Sequence, residues 1–532
     1  MQVNAAAIYP FKTDPFQHQL TCFLRNKTLD AFAYFMEMGA GKSKVLIDTA
    51  AYMYDQDRIN ALVVIAPKGV YRNWWDLDKG TGQPVGELPT HMPAHVRYRV
   101  GIWSADATKA ELEALDRLRP SGPDYDLHVL LLNVEALGRD LDNNRAYKYL
   151  ERFLLDHRAL LAVDESTVIK NPKATRTKAL LKLRRLAPVR RILSGQPAVN
   201  GPLDLYSQCE FLGPDLLGFG SYYTFKAHFA TLVPMFVHLG NGKKRKFTKV
   251  TGYKNLEELH KILSQFSFMV KKEDCLDLPQ KLPPVKRTVE LGPKQLKAYQ
   301  QMKRLCIAEI ENGLAVNNTG PVLGDFELTG NVDPARVSTA SLVITQMLRL
   351  HQILCGFIVT DDKKPVLFDE PNPRLEDLIE TLNELDHAII WATYKVSVRQ
   401  ITERIAKEFG PDSVLTYYGD TNTADRATAR LHFDPRTRPK DSAARFIVAN
   451  QTGARGLNLT VAHTGIYYSY THDLDIHEQS KDRIHRIGQH WPCSYLYQHA
   501  PGSVEDKILY ALVNKLDISQ QITASNWRTY IQ

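Results

Sequence analysis

The sequence predicts an α/β protein built from two parallel sheets, each covered by helices on both faces. Short apolar runs recur along the chain with helical patterns between them, and these runs do not alternate with polar residues. Unalternating apolar runs are typical of parallel strands that are buried on both faces. Two such sets occur with a segment of different composition between them, which indicates two sheets.

The first set of apolar runs lies in the N-terminal part of the chain. It comprises ALVVIAP (61–67), HVLLLN (128–133), ALLAVDE (159–165) and RRILSG (190–195). These runs are rich in residues that favour strands. We therefore assign residues 1–210 to a first lobe.

The second set lies near the C-terminus. It comprises HAIIWAT (387–393), SVLTYYG (413–419), RFIVAN (445–450) and GIYYSY (465–470). The helical patterns between these runs predict a second sheet of the same kind. We assign residues 375–532 to a second lobe that ends in a helix.

The segment between the two sets, residues 211–374, is richer in helix formers. It includes a long helical pattern at 292–313, a basic turn GNGKKRKF at 240–247, and a proline-containing stretch DLPQKLPP at 277–284. We interpret this segment as helical insertions together with the linker between lobes. The basic turn fits a DNA contact and a solvated loop equally well.

Composition sets broad limits on the class of protein. The chain has 532 residues, which indicates two or three domains, and its net charge of +8 mildly favours a polyanionic partner. An ordinary basic protein with no nucleic-acid partner fits that charge as well. The six cysteines form no CxxC pair, which predicts a reduced compartment and no structural metal. Without a signal-peptide pattern or a run long enough to span a membrane, a cytoplasmic location is expected.

A phosphate-binding loop is predicted in EMGAGKSK, residues 37–44. A GxGK[ST] pattern that opens a helix lets backbone N–H groups surround phosphate oxygens, because glycine permits close approach. Lys42 would reach the β- and γ-phosphates, and Ser43 would offer its hydroxyl to Mg²⁺. The predicted nucleotide-binding residues of this loop are Met38, Gly39, Ala40, Gly41, Lys42, Ser43 and Lys44.

Two adjacent carboxylates supply the second part of such a site. Asp164 ends the apolar run ALLAV, where a metal-binding acid of a nucleotide-hydrolysing protein is expected. Glu165 beside it is placed to orient and deprotonate an attacking water. Because a buried strand precedes this pair and a phosphate loop lies upstream, we interpret it as catalytic rather than as solvated surface.

A long basic tract follows the carboxylates. Residues 167–203 contain nine Lys or Arg and no Asp or Glu. A helix over residues 173–187 would gather Leu180, Leu183 and Ala187 into an apolar stripe. It would place the basic residues Lys178, Lys182 and Arg185 on the opposite face. That face suits sequence-independent phosphate contacts, although an ordinary solvated helix is the open alternative.

In the order of its motifs, the sequence resembles a superfamily-two helicase of the Swi/Snf-like branch. The resemblance spans roughly residues 16–507. Within this branch, the sequence looks most like the small phage or bacterial members. The matching segments occur in the order of the family's motifs. They are MGAGKS (motif I, 38–43), ALVVIAPKGVYRNW (motif Ia, 61–74), LLNVEAL (motif Ib, 131–137), VDESTVIKNPKATRTKAL (motif II, 163–180), LSGQPAVNGPLDLY (motif III, 193–206), WATYKVSVRQI (motif IV, 391–401), GARGLNLTVAHT (motif V, 453–464) and EQSKDRIHRIGQ (motif VI, 478–489).

The sequence departs from the usual motifs at three places. Met36 replaces the first glycine of the phosphate loop. In motif III, Ser194 keeps a hydroxyl, but Gln196 replaces the second threonine. In motif V, Ala454 and Arg455 stand where this branch more often has small residues.

The resemblance implies two RecA-like lobes with parallel sheets, with Swi/Snf-type helical insertions between and on them, and ATP bound between the lobes. It implies that Arg483 and Arg486 stabilise charge that develops on the γ-phosphate. Gln19 would read the adenine, since its spacing before Lys42 suits that role. Other assignments implied by the motifs are DNA contacts by Asn73, Lys170, Asn171 and Arg455, and coupling of hydrolysis to movement by Ser194, Gln196, Gly456 and Gln479. Trp74 and Trp75 are expected in the core.

The expected function is that of a DNA-dependent ATPase that moves along double-stranded DNA and uses ATP and Mg²⁺. A helicase that separates strands, or that anneals or processes branched DNA, is the first alternative, and a non-catalytic DNA-binding scaffold is a more distant one. Almost no residues lie outside the predicted motor, so a separate targeting domain and work on nucleosomes are not expected. A protein partner remains open, and no membrane partner is expected.

Overall fold

The structure is a computed structural model that divides the chain into two compact units. It describes residues 9–77, 82–119, 126–138, 141–199, 201–238, 244–316, 334–360, 364–368, 371–451, 457–514 and 530. The first unit is Met1–Asp277 and the second is Leu278–Gln532. The boundary falls within the proline-containing stretch that the sequence predicts as a linker.

The first unit alternates strands and helices along most of its length. Its elements are α1 (Gln17–Asn26), β1 (Ala31–Met36), α2 (Lys42–Asp55), β2 (Ala61–Ala66), β3 (Asp76–Leu77), β4 (Pro84–Val85), α3 (Glu87–His91), β5 (Tyr98–Trp103), α4 (Lys109–Asp116), β6 (Leu127–Asn133), α5 (Arg145–Asp156), β7 (Ala159–Asp164), α6 (Thr175–Leu183), β8 (Val189–Leu193), α7 (Leu205–Leu212), α8 (Tyr222–Phe229), β9 (Ala230–His238), β10 (Lys244–Tyr253), α9 (Leu256–Ser264), β11 (Ser267–Val270) and α10 (Lys272–Cys275).

The main sheet of the first unit is parallel. Among the described residues, seven strands pair in the order β11-β1-β8-β7-β2-β6-β5, and every pairing is parallel. All six residues of β2 are buried, and they alternate between two apolar cores, one on each face of the sheet. Burial on both faces explains why this run does not alternate in polarity.

The second unit repeats the architecture with shorter strands. Its elements are β12 (Val285–Thr288), α11 (Pro293–Val316), α12 (Pro334–Leu354), β13 (Phe357–Val359), β14 (Pro365–Leu367), α13 (Pro373–Asn383), β15 (Ala388–Trp391), α14 (Lys395–Phe409), β16 (Val414–Tyr417), α15 (Thr423–Phe433), β17 (Phe446–Ala449), β18 (Thr464–Tyr467), α16 (Leu474–Lys481), β19 (Ser494–His499) and α17 (Val504–Val513).

The main sheet of the second unit is also parallel. In the part of the chain that the structure describes, its order is β12-β19-β18-β15-β17-β16, with every pairing parallel. Ile389 of β15 packs into one core and Ile390 into the core on the opposite face. All eight predicted runs form strands, and the predicted fold class of two parallel α/β sheets is confirmed.

The segment 211–374, expected as helical insertions and a linker, is shared between the two units. Its strand β11 joins the edge of the first sheet beside β1, and β12 joins the edge of the second beside β19. It also contains an antiparallel pair, β9 with β10, where the sequence analysis expected mainly helix and a basic turn. The long helix predicted at 292–313 is present as α11.

A fully buried ion pair lies beyond the carboxyl ends of the second sheet. Both terminal nitrogens of Arg374 donate to the Glu505 carboxylate at 2.7 Å, and His351 Nε2 lies 3.2 Å from the same carboxylate. Arg374 also donates to the carbonyl of Tyr468, which follows β18. The pair therefore ties the start of α13 to the start of α17 and to the sheet.

No helix among the described residues has both the length and the apolar composition needed to cross a bilayer.

Candidate nucleotide site and nucleic-acid surface

The predicted catalytic residues of the first unit lie at one edge of its sheet. Strands β1, β8 and β7 are neighbours and run in the same direction. Their carboxyl ends therefore lie side by side, and they carry the phosphate loop after Met36, the carboxylate Asp164, and Ser194. Ligands of open parallel sheets bind at this edge.

The phosphate loop connects β1 to α2 through left-handed backbone. Gly39 has φ +82° and Gly41 has φ +85°, a conformation that favours glycine. Gly41 is the N-cap of α2, which begins at Lys42. The N–H groups at this helix start are directed toward the space where an anion would bind. Ser43, which is half-buried, is the second residue of the helix.

Lys42 is nearly buried and folds back onto the loop. Its Nζ donates to the Met36 carbonyl oxygen at 2.9 Å. Its charge also acts on the neighbouring Asp164: burial raises the pKa of that carboxyl, and Lys42 opposes the shift without cancelling it. The predicted lysine and the predicted metal-binding acid are thus close neighbours.

Asp164 is held by two donors. Its Oδ2 accepts from the Trp74 indole N–H at 3.1 Å, and its Oδ1 accepts from the backbone N–H of Glu165 at 2.9 Å. Trp74 is buried, as expected for a core residue, but the sequence analysis missed its bond to the acid. The signal was the position of Trp74 at the end of motif Ia.

Glu165 adopts an unusual backbone conformation. Its φ of +49° lies in the left-handed region, which costs energy for a residue with a side chain. Such strain concentrates at functional sites, where surrounding structure enforces it. Here the preceding buried strand and a following 3-10 helix, Ser166–Ile169, fix the carboxylate next to Asp164.

Gln19, predicted to read the adenine, contacts the phosphate loop directly. Its Nε2 donates to the Ala40 carbonyl at 3.1 Å, and its Oε1 accepts from the Phe16 N–H at 3.0 Å. The Nε2 atom of His18 lies 2.8 Å from the same Ala40 oxygen. A Cβ at residue 41 would collide with the Gln19 amide, so Gly41 is required for this approach.

Lys44 directs its side chain away from the loop. Its Nζ pairs with Asp48 Oδ2 at 2.7 Å inside α2 and lies 5.1 Å from the centre of the Phe11 ring. Burial raises the pKa of the Asp48 carboxyl more than the charge and hydrogen bond of Lys44 lower it, and the resulting pKa is about 6. The Lys44 side chain therefore pairs within α2, and its predicted role in nucleotide binding stays a prediction.

The loop after β8, predicted to couple hydrolysis to movement, touches the phosphate loop. Ser194 is buried, and its Oγ accepts from the Gln196 N–H at 3.2 Å. A Cβ on Gly195 would lie 3.0 Å from Cγ of Met38, so the two loops are packed together. The Gln196 side chain itself is exposed.

A second link joins the loop after β7 to the loop after β8. Ser166 donates its hydroxyl to Gln208 Oε1 at 2.6 Å, and Gln208 Nε2 donates to the carbonyls of Pro197 at 2.7 Å and Asp204 at 2.8 Å. Gln208, on α7, is fully buried. The sequence analysis missed this residue, because nothing in its local pattern marks it.

The predicted arginines of the second unit lie together. Arg486 donates to the Leu457 carbonyl at 3.0 Å, and Arg483 NH1 lies 3.4 Å from the same oxygen. Arg483 also donates to the carbonyl of Gln479 at 3.0 Å. The neighbouring Gln489, which the analysis did not single out, donates to the carbonyls of Ala462 and Ile484 and thereby fixes this loop. The predicted residues Arg455 and Gly456 lie outside the described residues.

The basic helix after the carboxylates has the two faces that its sequence predicts. Leu180, Leu183 and Ala187 are buried. On the other side, the exposed residues are Lys178, Lys182 and Arg185. The α-helix spans Thr175–Leu183, shorter than the expected 173–187, because a 3-10 turn, Arg184–Leu186, follows it.

Two of the other three predicted DNA-contact residues have local structural partners. Lys170 lies 3.8 Å from the Asp204 carboxylate. Asn171 Oδ1 accepts from the Lys173 N–H at 2.9 Å. The amide nitrogen of Asn73 is buried and meets no hydrogen-bond partner among the described residues. These three contacts stay predictions.

Two family models match the chain. The model described as the SNF2-related domain matches residues 34–324, more than half of the chain, and that of the helicase conserved C-terminal domain matches residues 372–488. A similar curated relative is the TATA-binding protein-associated factor MOT1 of Saccharomyces cerevisiae, 25% identical over 440 residues. Another is the SWI/SNF chromatin-remodeling complex subunit snf22 of Schizosaccharomyces pombe, 23% identical over 508 residues.

These relatives are much longer than the chain. The matches cover 76% and 91% of this chain but only 22% of MOT1 and 26% of snf22. Among solved structures, the SWI2/SNF2 ATPase core of Sulfolobus solfataricus in complex with double-stranded DNA is 22% identical, covers 98% of each chain and has a TM-score of 0.38. Because the SNF2-related model matches more than half of the chain, and the helicase C-terminal model matches a separate segment that follows it, the chain belongs to the SNF2-related family.

Proposed function

We propose that the protein is a DNA-dependent ATPase that moves along double-stranded DNA. The observation that carries the proposal is the assembly of Lys42, Asp164 and Glu165 at the carboxyl ends of β1 and β7, the two parallel strands that flank β8. Membership in the SNF2-related family supports the same activity. We further propose a location in the cytoplasm of a bacterial or phage-infected cell, where ATP and DNA are both present. The proposal is compatible with a protein partner.

In this proposal the phosphate loop binds the triphosphate of ATP. The N–H groups at the start of α2 donate to phosphate oxygens. Lys42 gives up its hydrogen bond to the Met36 carbonyl and binds the β- and γ-phosphates instead. A buried carboxylate, Asp164, and a helix-start hydroxyl, Ser43, fit Mg²⁺, which in such sites takes one or two protein ligands with the substrate phosphates. The bound cation would neutralise phosphate charge.

Glu165 acts as the general base in the proposed reaction. Its carboxylate orients a water molecule and takes one of its protons as that water attacks the γ-phosphorus, so that ATP and water yield ADP and phosphate. We propose that Arg483 and Arg486 stabilise the charge that develops on the transferred group. An arginine in that role contributes a factor of about 10³–10⁵ in rate.

The proposed DNA surface includes the exposed basic face of α6. Lys178, Lys182 and Arg185 are exposed there, in a tract of 37 residues that contains no carboxylate. Contacts to phosphate from such a face bind any sequence and weaken as salt increases. A motor that must move along DNA needs contacts of this kind, because sequence-specific contacts would hold it in place.

The test compares ATP turnover with and without duplex DNA in three proteins. The wild type is expected to be stimulated by DNA, and Glu165→Gln is expected to lose about 10²–10⁴-fold in turnover while still binding ATP. Glu113→Gln, an exposed carboxylate on α4, is the matched control and should behave as the wild type.

Negligible turnover in the wild type, with and without DNA, would contradict the proposal and support a non-catalytic scaffold. Displacement of a triplex-forming strand without separation of a labelled duplex is expected for translocation. ATP-dependent separation of that duplex would instead support a strand-separating helicase.

A further inference from the structure

The segment that contains β9 and β10 is strongly basic. From residue 216 to residue 256 the sequence has seven Lys or Arg and no Asp or Glu. Three of the basic residues, Lys244, Arg245 and Lys246, begin β10, and Lys249 lies within it. A solvated surface normally mixes both signs of charge, so a segment this one-sided favours a polyanionic partner.

The two strands form an antiparallel ribbon whose exposure is described at its middle positions. We call β9 and β10 the basic ribbon. Pro234 and Thr248 are opposite each other in the antiparallel register, and both are exposed. Val233, on the other face from Pro234, is also exposed, with 42% of its surface accessible. Since neighbouring residues of a strand belong to opposite faces, neither face of the ribbon is covered at this position.

The register distributes the basic residues over both faces of the ribbon. Lys244 and Lys246 belong to one face, and Arg245 and Lys249 to the other. In the antiparallel register, the residues of β9 opposite these four basic residues are His238, Val237, Phe236 and Val233. Strand β9 contains no carboxylate. No acid within the ribbon can therefore neutralise them.

The base of the basic ribbon rests on the loop after β8. Tyr253, the last residue of β10, lies so close to Gly201 that a Cβ there would collide with its ring. Burial and the nearby Asp204 carboxylate together raise the pKa of the Tyr253 hydroxyl. The ribbon is thus attached to the same loop whose Pro197 and Asp204 carbonyls accept from Gln208.

The basic surface continues from the ribbon to the start of α6. Lys226, on the helix α8 that leads into β9, has a lowered pKa because of burial and because of repulsion from Lys173. Repulsion between these two ammonium groups raises the free energy of the unbound protein. A bound phosphate would relieve this repulsion, so the region favours an anionic backbone over a neutral partner.

We propose that the basic ribbon is a further DNA-binding element that contacts the phosphate backbone of the duplex. This inference rests on the proposed function, because it adds a second contact to the same DNA. The ribbon is expected to bind without sequence preference, since lysine and arginine contacts to phosphate carry no base information. Its attachment beside Gly201 connects this contact to the loop that packs on the phosphate loop.

The experiment measures binding of a labelled duplex over a range of salt concentrations, without nucleotide. The test variant combines Lys244→Gln, Arg245→Gln and Lys246→Gln. The control variant combines Arg97→Gln, Arg117→Gln and Arg119→Gln, which removes the same charge from exposed arginines that pair with nearby carboxylates. For each protein the slope of log affinity against log salt concentration is compared.

The slope of the test variant is expected to be smaller than that of the wild type by about 2–3, since each phosphate contact contributes about 0.9. The control should keep the slope of the wild type. Lys249→Gln alone should reduce the slope by about 1, which preserves the test if the triple variant folds poorly. ATP turnover without DNA should be unchanged in all variants, because none of these residues belongs to the nucleotide site.

Equal slopes for the test and control variants would overturn the inference and would indicate a solvated ribbon or a ribbon that serves an acidic protein. Failure of the wild type itself to bind duplex DNA, or to hydrolyse ATP faster in its presence, would contradict the proposed function instead. The two failures are therefore distinguishable.

Discussion

The two units bury charged groups at the same edge of similar sheets, but with opposite results. In the first unit, burial raises the pKa of Asp164 because its partners, Lys42 and Trp74, only partly compensate. In the second, burial would also raise the pKa of Glu505, but Arg374 and His351 outweigh it and lower the pKa to about 2. The negative charge of Asp164 is only partly compensated within the protein, so a bound cation would stabilise it. The negative charge of Glu505 is fully compensated by Arg374 and His351.

This difference in charge compensation distinguishes the candidate nucleotide site at Asp164 from the structural ion pair at Glu505. Glu505 receives two hydrogen bonds from Arg374 and one from the Ala500 backbone, so its oxygens are occupied. Asp164 is placed at the end of a strand beside a strained residue, Glu165, and near the start of a helix. Burial of charge alone therefore does not identify a functional site; incomplete compensation does.

The largest expected effect is on the stability of the second unit. Arg374→Met should lower the free energy of unfolding by about 3–5 kcal/mol, because it leaves the Glu505 carboxylate buried without its partner. Arg404→Met is the matched control. Two nitrogens of Arg404 also donate to one carboxylate, that of Glu376, but this pair lies at the surface. The control should lose about 1 kcal/mol or less. Denaturant unfolding measures both.

The pH dependence of stability checks the same ion pair. The folded-state pKa of Glu505, about 2, lies below the ordinary value of 4.5, so its contribution is complete above pH 4.5 and is lost as the pH falls toward 2. This loss should disappear in Arg374→Met. An unchanged acid dependence in that variant would show that the ion pair is not the source.

An intermediate effect is expected at Gln208 in the first unit. Gln208→Met leaves the Ser166 hydroxyl and two carbonyls without their partner and should cost about 1–3 kcal/mol of stability. Ser166→Ala should cost less, because Gln208 keeps both carbonyl acceptors. The double variant completes a cycle in which a coupling free energy of about 0.5 kcal/mol or more is expected. Strict additivity would mean that the link does not connect the two loops energetically.

The smallest expected effect concerns the Trp74 indole. Its hydrogen bond lowers the pKa of Asp164, so Trp74→Phe should raise that pKa further. The acid limb of the profile of ATP turnover against pH should then move to higher pH, by less than about one unit for a bond of about 1 kcal/mol. Trp75→Phe, at the half-buried neighbour, is the control. A shift in the opposite direction would contradict the assigned role of Trp74.

The sequence predicted the sheets and the positions of Lys42, Asp164 and Glu165 because these depend on local pattern. A strand that is buried on both faces has an unalternating apolar sequence, and a residue that directly follows such a strand lies at the edge of the sheet. The basic face of α6 was also predictable, since helical periodicity alone assigns it.

The partners of these residues were not predictable in the same way. Trp74 and Gln208 act through contacts to residues 90 and 42 positions away, which no local pattern records. Lys44 was predicted as a nucleotide-binding residue from the loop pattern alone, which does not record that its side chain is buried beside Asp48 and Phe11. The sequence analysis left the basic turn at 240–247 open between a DNA contact and a solvated loop, because a lysine-rich composition does not reveal that the flanking strands pair.

The contact between Gln19 and Gly41 affects how variants of the phosphate loop are interpreted. A side chain at residue 41 would have to adopt a left-handed backbone and would also expel the Gln19 amide, which is bonded to the first turn of α1 through the Phe16 N–H. Any kinetic defect of a Gly41 variant therefore combines damage to the loop with damage to α1. A Lys42 variant keeps the glycine at residue 41 that the Gln19 contact requires, and its expected effects are on phosphate binding and on the charge balance of Asp164.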